Sequence, residues 1–149
     1  MTGREYMMQY WEAVVRVRRL KSQSASIRDL LGNVTVDPSS EHVQTSRDPD
    51  QIGKLVAKLS DIEAKLADEK LHAVDLMDEI YEAVNKLKDP DEQLILQFRY
   101  IKMLPWSKIE KEMQQLQRYY CLDWMMRKHR HALKEIERIT NCLNNSKDE

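Results

Sequence analysis

Residues 50–88, DQIGKLVAKLSDIEAKLADEKLHAVDLMDEIYEAVNKLK, decide the fold. Ile52, Leu55, Leu59, Ile62, Leu66, Ala73, Leu76, Ile80, Ala83 and Leu87 follow an alternating three-four rhythm, broken once at Glu69. That rhythm is a heptad seam of about five repeats. At 1.5 Å per residue the helix would be roughly 55–60 Å long. A helix this long cannot bury its seam alone and needs a partner. Asp89-Pro90 ends it, because proline disfavours helical geometry in the residue before it and suits the start of the next helix.

The partner is upstream. From Thr2 to Leu31 the larger apolar residues include Met7, Tyr10, Val14, Val17, Leu20, Ile27 and Leu31, again mostly in threes and fours, with a wider gap at Ser22–Ser26. Thr2 and Glu5 have capping-box spacing, and Gly32-Asn33 is a stop signal. Residues 32–50, with Gly32, Pro38, Thr45, Ser46 and Pro49, have no periodicity and read as a mobile loop. Residues 1–89 are therefore expected as an antiparallel, coiled-coil-like helical hairpin. The first helix is shorter, so a second copy of the chain is a candidate cover for the remaining seam.

Past the boundary, a helix from Asp91 to about Lys102 presents Leu94, Phe98 and Ile101. Met103-Leu104-Pro105 breaks it. A short helix to about Met113 presents Trp106, Ile109 and Met113, and a third runs from about Arg118 to Asn141. The third has an apolar side of Leu122, Met125 or Met126, His129, Leu133 and Ile136. Two short helices and a longer basic one form the layout of a helix-turn-helix over residues 90–141, with a disordered tail at 142–149. The fold class expected is all-α.

Composition agrees. The chain has 149 residues, 33% charged and 7% aromatic, with three glycines and four prolines, too few turn formers for a β-sandwich. Net charge is −1, but its distribution is uneven: residues 50–89 are acidic and residues 90–149 basic. The outer side of the third helix gathers Arg118, Tyr120, Trp124, Arg127, Lys128, Arg130, His131 and Lys134. Such cations neutralise phosphates, and Arg, His or Tyr can reach base edges in a major groove. These eight residues are the candidate contacts to double-stranded DNA.

The stretch from Phe98 to Leu133 resembles a family of small phage and prophage transcription regulators of the late-gene and autolysin type. Their DNA-binding part is similar to sigma-factor region 4. The residues carrying the resemblance are Arg99-Tyr100-Ile101, then Trp106, Ile109 and Met113, then Arg127, His129 and Ala132-Leu133. It implies a DNA-binding regulator of late or lysis genes in the cytoplasm of a bacterial host, with host RNA polymerase as a possible partner. There are departures. Glu110 stands where the family has a small residue, and Gln114 where it has a turn glycine. About five residues are extra within or near QQLQRYYCLD, and they lengthen either the turn or the third helix. The family's basic positions at the start of the recognition helix fall on Leu122 and Asp123. The competing reading is a coiled-coil adaptor whose helix-turn-helix only packs.

Catalysis is not expected. Asp75, Asp78, Glu79 and Glu82 lie at helical spacing beside lysines and read as a solvated face. No Gly-rich phosphate loop is present. Cys121, His129, His131 and Cys142 match no established zinc spacing, so neither metal nor cofactor is expected. No signal peptide or membrane span is expected either, for lack of a long apolar run.

Overall fold

The computed structural model describes Met1–Gly32 and Pro49–Ser146. Five helices follow one another: α1 (Gly3–Gly32), α2 (Pro49–Asn85), α3 (Pro90–Leu96, continuing as a π-helical turn over Gln97–Ile101), α4 (Trp106–Gln115) and α5 (Leu122–Asn145). Among the described residues there is no strand, and no helix is long and apolar enough to cross a membrane. The loop expected at 32–50 lies outside the described residues, except that Gly32 still belongs to α1 and Pro49 and Asp50 to α2. Of the tail expected at 142–149, residues 142–145 are the last turn of α5, and residues 147–149 lie outside the described residues.

The chain divides into two compact units, Ala13–His72 and Met1–Glu12 with Ala73–Glu149. The first is the two-helix part of the α1–α2 hairpin, with its strands of chain antiparallel. Arg16 Nε donates to Glu69 Oε2 at 3.1 Å, and Arg28 pairs with Glu63. Glu69, where the α2 seam skips an apolar step, is thus satisfied by a charge from α1. The gap in α1 is filled by Ser24, which is buried. Continuing the rhythm through Val17, Leu20, Ser24, Ile27 and Leu31 shows why a small side chain suffices there.

The second unit has two apolar clusters. One joins Met7, Ile80, Ala83, Val84, Leu87, Leu96, Tyr100, Ala132 and Ile136. The other joins Ile95, Phe98, Ile109, Met113 and Met125, flanked by Leu94, Leu104, Trp106, Tyr120 and Trp124. Short α3 contributes to both, so it is buried on two sides. A single stripe of Leu94, Phe98 and Ile101 therefore understates it: Ile95, Leu96 and Tyr100 are buried, while Leu94 and Ile101 are only half-buried. Asp89-Pro90, the expected boundary, falls inside this unit.

The start of α1 sits against α5. Thr2 Oγ1 accepts from the Glu5 N–H at 3.2 Å, and Glu5 Oε2 accepts from the Thr2 N–H at 2.7 Å, forming the expected capping box. The bond holds the Glu5 carboxyl below its ordinary pKa. One residue on, a Cβ built on Gly3 would lie 1.9 Å from the Leu133 carbonyl oxygen. Only a residue without a side chain permits this approach.

Helix ends here use left-handed residues that are not glycine. The Gln117 N–H donates to Gln114 O at 2.9 Å and the Arg118 N–H to Met113 O at 2.9 Å, a Schellman stop with Gln117 at φ 59°. Met103, at φ 57°, follows the π-helical turn, and the next N–H, that of Leu104, donates to Phe98 O at 2.9 Å. Residues Leu116–Cys121 lie between α4 and α5, and α5 begins at Leu122 rather than at Arg118.

Two outcomes follow for stability. Gly3→Ala overpacks the α1–α5 contact and lowers stability by about 1–3 kcal/mol or more, read as a drop in Tm. Gln117→Gly removes the cost of a side chain at positive φ and raises stability by up to about 1 kcal/mol in a denaturant melt. A destabilised Q117G protein would count against the Schellman stop.

Candidate nucleic-acid interface

The site is built from the turn after α2 and the face of α5 that α3 meets. Asp89 is the N-cap of α3: its Oδ1 accepts from the Asp91 N–H at 2.9 Å. Its Oδ2 accepts from Lys128 Nζ at 2.5 Å. Burial pulls the Asp89 pKa upward, but the Lys128 bond, the helix N–H groups and the Lys128 charge outweigh it and leave the carboxyl below its ordinary value. The same bond raises the Lys128 ammonium. Asp91 is buried and takes two partners, Arg118 and the Tyr120 hydroxyl, the latter at 3.2 Å. Glu92, also buried, meets His131 Nδ1 at 2.6 Å.

This divides the eight candidate contacts. Arg118, Tyr120, Lys128 and His131 are held by three acids at the head of α3. Trp124 is half-buried, stacked on Tyr120 at 3.6 Å between ring centroids, with the Lys128 ammonium 5.2 Å above its ring. Arg127, Arg130 and Lys134 differ. They lie three and four residues apart on one side of α5, are exposed, and have no ion partner among the described residues. Of Arg118, Arg127, Lys128 and Arg130, only Arg127 and Arg130 have no ion partner among the described residues. The neutralising acids are Asp89, Asp91 and Glu92, which charge spacing along α5 alone does not reveal.

Beneath the basic side lies an aromatic cluster. The Arg99 guanidinium is 5.5 Å from the ring centroid of Trp11 and 5.5 Å from that of Trp106, a cation between two indoles. Arg99 also donates to Leu104 O at 3.1 Å. Trp11 Nε1 donates to Tyr100 O at 2.8 Å, a carbonyl in the π-helical turn. Trp106 then meets His129 edge-on at 5.0 Å. His129 falls on the inner side of α5, as its place in the apolar stripe implies. Its pKa is pushed down to about 4, by burial first and then by Arg99, Arg4 and Arg130. Burial raises the Tyr100 phenol, with Arg4 and Arg99 pulling the other way. Tyr100 therefore stays protonated, and its hydroxyl is hydrogen-bonded to His129 Nε2 at 2.9 Å.

A groove of about 660 Å³ opens between the α2–α3 turn and α5. Lys86 and Lys88 line it together with Arg127. Both lysines belong to the stretch expected as the end of the long second helix, whereas α2 ends at Asn85. The chain matches no protein-family model, no curated protein and no solved structure.

His129 sets a pH dependence. Its folded pKa of about 4 lies below the ordinary 6.5, so its contribution is complete above about 6.5 and is lost as pH falls toward 4. The Tm of the wild-type protein should fall across that window, and His129→Gln should flatten this part of the profile. A wild-type Tm that stays level from pH 6.5 to 4 would contradict the buried neutral imidazole.

Proposed function

We propose that the protein binds double-stranded DNA through the outer side of α5 and acts as a transcription regulator of the phage late-gene type. The observation that carries this reading is the run of Arg127, Arg130 and Lys134, exposed on one side of the helix and without an ion partner among the described residues. The inner side of α5 packs with α3 and α4, which supports a helix-turn-helix arrangement around the second apolar cluster. Because α5 starts at Leu122, its first turn carries Asp123 and no cation. Phosphate contacts in this reading come from the middle of the helix, not its start. Host RNA polymerase and a second copy on the long helices are the protein partners the reading implies, in a bacterial cytoplasm.

A second reading has its own support. Arg118 and Lys128 are already neutralised, and Val15, Leu30, Val56, Leu71 and Val74 on the long helices are exposed. An adaptor that binds protein through α1 and α2 would need nothing from the basic side of α5.

Fluorescence polarisation with promoter DNA from the gene's neighbourhood separates them. Three phosphate contacts predict a log–log salt slope of about −3, so affinity drops about 40-fold or more between about 50 and 200 mM salt. R127A/R130A/K134A should lose most of the affinity while keeping its Tm. Lys128→Ala should mainly destabilise, because Asp89 loses its partner. Wild-type protein that ignores DNA at low salt sinks the first reading.

A further inference from the structure

The groove beside α5 has an imbalance of charge. Its three acids are each engaged. Asp89 holds Lys128 at 2.5 Å, Glu92 holds His131 at 2.6 Å, and Glu135 holds Arg138 at 3.0 Å. Three further cations line the same groove: Lys86, Lys88 and Arg127. All three are exposed, and none has an ion pair or side-chain hydrogen bond among the described residues. The Glu92–His131 contact is a charge pair only with a protonated imidazole, so lysines and arginines outnumber acids five to three along the groove, and an excess of two positive charges faces it.

The lysines are held in place by their backbone. They flank Leu87, which is buried in the first apolar cluster. The Lys86 N–H donates to Ala83 O at 3.2 Å and the Leu87 N–H to Val84 O at 3.0 Å. The Leu87 carbonyl accepts from Gln93 Nε2 at 2.7 Å, and Asp89 caps the next helix. With Leu87 turned inward, its two neighbours face solvent from a fixed turn. Three unpaired cations on a rigid, open groove attract a chain of phosphates, and little ordering is left to be done on binding.

We propose that this groove holds the phosphodiester backbone of duplex DNA, with Lys86 and Lys88 as contacts from outside the helix-turn-helix. The proposal rests on the reading of α5 as the DNA-binding helix. Arg127 belongs both to the exposed run on α5 and to the groove lining, so one strand can pass from the helix into the groove without a break in positive charge.

The test uses the full chain and a labelled mixed-sequence duplex. K86A/K88A removes two contacts, so the salt slope should become shallower by about 2 and the affinity at low salt should fall about tenfold or more. K86R/K88R should restore both, and the Tm of each variant should match wild type because neither side chain has a partner. A K86A/K88A protein with wild-type affinity and slope overturns the groove while leaving the α5 reading intact. If R127A/R130A/K134A still binds as wild type does, the α5 reading falls and takes with it the continuous path from helix to groove that is proposed here. Wild-type protein without duplex affinity overturns both.

Discussion

Asp89 uses its two carboxylate oxygens for two tasks. One caps a helix of seven residues and the other fixes that helix to α5 through Lys128. Short α3 has little intrinsic stability, since so few residues cannot offset the cost of nucleation. Its cap, its proline at the first position and its burial on two sides make it persist. Both apolar clusters need α3 in place, because Leu96 and Tyr100 enter one and Ile95 and Phe98 the other. The same anchor takes Lys128 out of the set of free cations on α5.

Arg99 plays the matching part at the far end of α3. Its guanidinium lies between Trp11 and Trp106, so it joins α1 to α4 through the turn that follows α3. The π-helical geometry has a use here. Pro105 has no N–H to offer the carbonyls behind it, and the Tyr100 carbonyl instead receives the Trp11 indole N–H. Arg99 thus serves structure rather than solvent-facing charge, although a basic residue in this region invites the opposite assignment.

Much of the fold was legible. Heptad spacing located α1 and α2, Asp89-Pro90 located the join to α3, and Thr2 with Glu5 located the first cap. Ile109 and Met113, read as the inner side of α4, are fully buried, as are Met125 and Ile136 of α5. Two kinds of feature escaped. The stop at Gln117 lacks the glycine that marks left-handed residues, so the turn before α5 was read as the first turn of that helix. The second kind is long-range pairing. Arg118, Lys128 and His131 look free along α5, but their acids are 27 to 39 residues upstream. Charge spacing within a helix reports neighbours in sequence, and these partners are neighbours only after folding. Lys86 and Lys88 were missed for the same reason: read as the last turn of the long helix, they give no sign of the helix they will lie beside.

The ion pair between Arg16 and Glu69 has a further role when read as a register key. Apolar seams alone allow two helices to slide by a whole heptad with little change in packing. Sliding this hairpin by seven residues sets the Arg16 guanidinium opposite Ile62 and parts it from its carboxylate. The pair is half-exposed and adds little to stability as such. Its worth lies in making every other alignment worse, so that one interrupted step in each seam selects a single pairing from several that hydrophobicity would accept.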